Sequence, residues 1–174
     1  MMMKHILKAL KVVYIPPGEY LISETIKMNT DTIIMGDATN VCHSCTTTDV
    51  LSLTPPCFQP PVLKAAPGFP SNGILFTGQD PVTQEKGELS FAVALKNIVL
   101  DTTNVPANAP FVALYWGVAQ AAHLQNVKIH MPYSVNGAGH SGMRLGRGST
   151  LTVSDVRIEG GQVRTPSSAT HKLC

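Results

Sequence analysis

One phrase recurs along this chain at constant spacing: Leu95-Lys-Asn-Ile-Val-Leu-Asp101, Leu124-Gln-Asn-Val-Lys-Ile-His130 and Val153-Ser-Asp-Val-Arg-Ile-Glu159. From Leu95 to Leu124 is 29 residues, and from Leu124 to Val153 is 29 again. A fixed period of this size belongs to a solenoid, in which one repeat cannot bury its own apolar face and is stable only when stacked on its neighbours. Within each phrase apolar and polar residues alternate. Ile98 and Leu100, Val127 and Ile129, and Val156 and Ile158 point one way, while Lys128, His130, Arg157 and Glu159 point the other. The Gly, Pro and Asn punctuation between phrases leaves no stretch for an amphipathic helix. The expected fold is all-β, a parallel β-helix with coils about 4.8 Å apart along its axis.

Composition agrees with many strands that turn one face inward: 14% of the 174 residues are charged and 44% are hydrophobic. A net charge of +2 gives no reason to invoke nucleic acid or an anionic membrane as partner. No apolar run is long enough to span a bilayer as a helix. Lys4, Lys8 and Lys11 interrupt the first residues, so no secretory signal is visible. Val12-Val-Tyr-Ile-Pro-Pro-Gly-Glu-Tyr-Leu-Ile22 reads as strand, tight turn, strand, and Thr32–Gly36, Pro61–Ala65 and Gly73–Phe76 read as further short strands. Phe111–Trp116 is apolar nearly throughout, so periodicity does not say which side chains face inward.

The segments VVYIPPGEYLIS, MGDATN, PVLKAAPGF, KNIVLDTT and YWGVAQAAHLQNVKI resemble the N-terminal pectate-lyase-like domain of glycoside hydrolase family 55, the exo-β-1,3-glucanases. The resemblance implies a right-handed, single-stranded, pectin-lyase-like β-helix over 12–162, partial in extent, from an extracellular hydrolase of β-1,3-glucan that uses no cofactor and no metal. Such enzymes carry two β-helical halves, and the likeness covers part of the first. The general acid is then expected in the C-terminal half, which becomes the implied partner, and the chain by itself is expected to be inactive. Two other readings are kept: a non-catalytic carbohydrate-binding or tailspike-like β-helix, and a polysaccharide lyase of pectate-lyase type. A lyase wants clustered acidic Ca²⁺ ligands beside a basic residue, and no such carboxylate cluster is visible.

The repeat offset applied to Gln120 lands on Ser149, so the two should occupy equivalent places on consecutive coils. In the resembled glucanases a Gln and a Ser of this half hold the attacking water of an inverting mechanism, and Gln120 and Ser149 are the matching positions. Neither is a base, so they orient water and pass its proton toward a carboxylate. The structural reading makes Gln120 a polar side chain serving backbone at a coil corner and Ser149 a turn residue. Tyr115 and Arg144 form another 29-residue pair suited to a sugar face and its hydroxyls, and Trp116 is a second candidate for a subsite wall, although core packing would also explain these residues.

The other coincidences favour structure. Asn97, Asn126 and Asp155 should form a side-chain ladder. Asp101, His130 and Glu159 should form, with Lys128 and Arg157, a solvated charged face rather than a catalytic set. Neither His123 nor His140 has a partner at ligand spacing.

Two segments leave the family pattern and hold every cysteine. Val41–Gln59 contains Cys42, Cys45 and Cys57, and the tail at 163–174 ends in Cys174. Cys42-His-Ser-Cys45 has the gap of a zinc half-site but no matching second half, and a disulfide is the other chemical option. Both segments begin with Val, whose codons start with GT, and Phe58-Gln59 is encodable as a pyrimidine-rich run closing in CAG. The expectation is a retained in-frame intron at 41–59 and intron read-through at 163–174. Deleting Val41–Gln59 is predicted to leave or raise the stability measured by urea unfolding, since a long loop costs little closure entropy and makes few contacts. A loss above about 2 kcal/mol would show that the segment packs or binds metal.

Overall fold

The computed structural model describes residues 10–37, 60–78, 90–118, 120–134, 138–146 and 151–162. They form strands β1 (Lys11–Ile15), β2 (Glu19–Ile22), β3 (Ile26–Lys27), β4 (Thr32–Gly36), β5 (Val62–Ala65), β6 (Ile74–Thr77), β7 (Ala94–Asp101), β8 (Val112–Trp116), β9 (Ala122–Ser134), β10 (Ser141–Leu145) and β11 (Leu151–Gln162). Every strand pairing is parallel. The alternation within the repeated phrase therefore has the meaning expected of it: the chain is a parallel β-helix. Among the described residues no helix is long and apolar enough to cross a membrane.

The repeat offset is the inter-coil register. Leu95 lies beside Leu124 and Leu124 beside Val153. One sheet runs β1-β4-β7-β5-β2 with β9 and β11 stacked beyond β7, and the other runs β10-β8-β6-β3. The fork at β7 shows how a coil is built. Its first half pairs with β4 and its second half with β5, because β7 is two short strands joined through a corner at Asn97.

That corner repeats at Asn126 and Asp155, and all three residues have left-handed backbone with φ of 54°, 51° and 52°. Asn and Asp tolerate this region better than other side chains that carry a Cβ. The amides also link the coils: Asn126 Nδ2 donates to Asn97 Oδ1 at 3.0 Å, and Asn97 Nδ2 donates to the Gly36 carbonyl at 3.3 Å. Gly36 closes the ladder because a Cβ there would stand 2.1 Å from the Asn97 carbonyl oxygen.

In the first coil the same corner is spanned by Pro16-Pro17-Gly18. This turn joins β1 to β2, which pair with β4 and β5 rather than with each other. In the second coil the chain leaves at Met35, opposite Lys96, and returns at Val62, opposite Val99. The expected insertion Val41–Gln59 falls between those points and lies outside the described residues, as do Cys42, Cys45, Cys57 and the tail at 163–174 with Cys174.

Stacked apolar rows fill the interior. Leu63, Leu100 and Ile129 are consecutive members of one row, and Ile34, Leu95 and Leu124 of another, all buried. A buried aromatic group sits at one end, where Phe69 meets Phe111 edge-on at 5.3 Å and Phe111 lies 5.3 Å from His140. His140 is 2% exposed. Its Nε2 stands 2.9 Å from the Pro106 carbonyl, which only accepts, so Nε2 carries the proton and Nδ1 accepts from the Thr102 hydroxyl at 2.8 Å. Burial pushes its pKa down, and the bond to Pro106 partly opposes this.

Two predictions follow from these contacts. Asn126→Ala should cost about 1–2 kcal/mol in urea unfolding, from strain in the left-handed corner and loss of the amide link. Asn126→Gly should cost less, and equal costs would assign the whole effect to the amide. For His140 the folded pKa lies below the unfolded one, so the unfolded chain binds the extra proton. Stability from this group is complete above about pH 6.5 and falls as pH drops below that value. His140→Gln should flatten this part of the profile, and an unchanged acid slope would contradict the assignment.

Candidate functional site

A second left-handed corner precedes β4, β7 and β9, at Asp31, Ala92 and Ala121, with φ of 59°, 50° and 55°. Backbone bonds run through it from coil to coil: Lys11 N–H to the Asp31 carbonyl at 2.8 Å, Asp31 N–H to Phe91 at 3.0 Å, and Ala92 N–H to Gln120 at 3.2 Å. Gln120 therefore serves the stack with its main-chain carbonyl while its exposed side chain stays at the surface. The backbone bond to Ala92 is made by the Gln120 carbonyl and not by its side chain. Ser149 lies outside the described residues, so its pairing with Gln120 rests on the repeat offset alone.

Tyr115 and Arg144 are register partners at the ends of β8 and β10. Tyr115 is half-buried and Arg144 exposed. Two glycines give the tyrosine ring its place: a Cβ on Gly117 would fall 2.6 Å from Tyr115 Cε1, and one on Gly146 would fall 3.0 Å from its hydroxyl. These glycines are themselves one repeat apart, so the ring lies across bare backbone of two coils.

Trp116 corrects an expectation. It is fully buried in the core, where its ring packs over Gly78, whose Cβ would approach Trp116 Cε3 to 2.7 Å, and against Val118. An adjacent residue on a strand faces the other way, so Tyr115 and Trp116 could not both be surface walls. The uniformly apolar run had hidden that difference.

The charged row is a surface feature. Lys64 Nζ lies 3.5 Å from Glu19 and 3.7 Å from Asp101. Glu159 is held by Arg157 Nε at 2.7 Å, with His130 Nε2 at 3.2 Å and Lys128 Nζ at 3.9 Å. Asp101 Oδ1 also accepts from the Thr103 amide and hydroxyl at 2.8 and 2.6 Å. These carboxylates are already engaged, and the exposed pairs of Glu159 with Lys128 and Arg157 contribute about 0–1 kcal/mol each. Among the described residues Asp31 is the one carboxylate on the corner that carries Gln120, two coils from Ala121.

Several known proteins have sequences similar to that of this chain. The family model described as rhamnogalacturonase A/epimerase, pectate lyase-like, matches residues 2–54 and 56–168. A glucan endo-1,3-beta-glucosidase of Trichoderma harzianum is 57% identical over 152 residues, covering 87% of this chain and 18% of that protein. A glucan 1,3-beta-glucosidase of Cochliobolus carbonum is 29% identical over 156 residues, covering 86% of this chain and 17% of its own length. A non-secreted LysM effector of Penicillium expansum is 24% identical over 153 residues, again 86% of this chain but 11% of the effector. The chain thus spans less than a fifth of the length of these relatives.

Proposed function

Because the chain belongs to the rhamnogalacturonase A/epimerase, pectate lyase-like family, as the β-helical domain of the type found in glycoside hydrolase family 55, we propose that it supplies the water-positioning side of a β-1,3-glucan hydrolase. The observation that carries this reading is the 57% identity, over nearly the whole chain, to a protein named as a glucan endo-1,3-beta-glucosidase. The geometry agrees with it in leaving Gln120 exposed on the corner of its coil.

In an inverting hydrolysis an acid protonates the leaving oxygen while water attacks the opposite face of the sugar, and the carboxyl pair stands about 6.5–9.5 Å apart to admit that water. Gln120 accepts a hydrogen bond from the water at its amide oxygen or donates one from its amide nitrogen, fixing the water's direction. Ser149 is proposed as the second holder, one coil away. The proton passes to a carboxylate, and the acid belongs to the part of the relatives' length that this chain does not span. Tyr115 and Arg144 are proposed to meet the sugar, ring against ring face and guanidinium against hydroxyls. An extracellular setting is proposed on the same footing, since the substrate is a cell-wall polymer. The 57% relative is named as an endo-enzyme, whereas the family resemblance pointed to exo-cleavage, so the proposal extends to the linkage and not to the mode of attack.

The second reading is a non-catalytic carbohydrate-binding β-helix, which would use the same fold without turnover. Kinetics separate the two in a protein that joins this domain to the remaining length of the glucosidase relatives. Gln120→Ala or Ser149→Ala should lower kcat on laminarin-type glucan by roughly a hundredfold while KM stays nearly unchanged, because the lost bond acts on the transition state. The double variant should be far less than additive. Asp101→Asn should be close to silent. Near-wild-type kcat in both single variants returns the two residues to structural roles, and glucan binding without any hydrolysis by the wild type supports the binding module.

A further inference from the structure

The pairing of Ala94 with His123 carries back three residues to Phe91 and Gln120, and the backbone bonds of the corner agree. Asp31 N–H donates to Phe91 O as Ala92 N–H, one coil later, donates to Gln120 O. Phe91 and Gln120 are thus equivalent positions on consecutive coils, about 4.8 Å apart along the stack. Phe91 is 36% exposed. Most other exposed large apolar side chains among the described residues lie on or beside the outermost strands: Leu10, Val12, Val13, Tyr14, Leu21, Leu145 and Ile158. Phe91 precedes β7, which is paired on both sides, so its exposure is not an edge effect. Tyr133 shares that distinction but carries a hydroxyl for the solvent. The residues that follow Phe91 and Gln120 at the corner, Ala92 and Ala121, have only methyl side chains.

We propose that Phe91 is a stacking platform for one glucosyl ring of the substrate, placed beside the Gln120 amide. A pyranose has an apolar C–H face and a rim of hydroxyls. A flat apolar ring next to an amide offers the matching pair of surfaces, the first for the face and the second for a hydroxyl or the attacking water. The inference rests on the glucan reading of this corner and adds a residue to it. Nothing in the repeated phrase singles out Phe91, because it stands before the strand and has no aromatic counterpart at Gln120.

The test is binding of laminarin oligosaccharides to this chain by titration calorimetry, with thermal melting as a check on folding. Phe91→Ala should weaken binding about tenfold without moving the melting temperature, and Phe91→Trp should keep it within about twofold of wild type. Wild-type affinity in Phe91→Ala overturns the platform while the glucan reading stands. Equal losses in Phe91→Ala and Phe91→Trp, with melting unchanged, also overturn it, since a ring is then not what the site uses. If the wild-type chain fails to bind laminarin oligosaccharides, the glucan reading of this face falls, and the platform with it.

Discussion

Parallel pairing at a constant offset governs everything else in this molecule. Each strand of a coil uses its backbone groups on the coil before and the coil after, so a residue and its counterpart 29 positions on are held side by side. A slip of one residue in that register would turn buried Leu100 and Ile129 outward and drive Asp101 and His130 into the core. The cost of such a slip scales with every row at once. The same strictness stacks the corners, where Asn97, Asn126 and Asp155 take up one left-handed conformation and Asp31, Ala92 and Ala121 another.

The two corners divide the work of the coil. The asparagine corner is a structural joint, with side chains spent on each other and on the Gly36 carbonyl. It is also where the second coil leaves the sheet at Met35 and re-enters at Val62, three residues along β7. The alanine corner is the opposite case. Its stacking is done by main-chain bonds through Phe91 and Gln120, and the side chains there are left for the surface. A rigid backbone carrying uncommitted side chains is the usual setting for a binding or catalytic group.

The charged row shows why proximity of chemically capable groups is not enough. Asp101, His130 and Glu159 share one row, yet Glu159 is shared among Arg157, His130 and Lys128, and Asp101 between Lys64 and the turn at Thr103. Buried His140 is likewise fully occupied, with Thr102 on one nitrogen and Pro106 on the other.

The repeat and its alternation were enough to establish a parallel β-helix, its register, the inward rows and the asparagine ladder, because a solenoid translates sequence period directly into contact. The strand readings at 32–36, 61–65 and 73–76 stood within a residue for the same reason. What the sequence withheld was anything set by packing between faces. Tyr115 and Trp116 look alike in an apolar run, but only the three-dimensional path buries one over Gly78 and lays the other across Gly117 and Gly146. Ala92 and Ala121 carry no composition signal for a left-handed bend, since the strain is imposed by the coils on either side. His140 gained its partners from residues 34 and 38 positions away in the chain. Local pattern determines which way a side chain points relative to its neighbours, and tertiary structure decides what, if anything, lies in front of it.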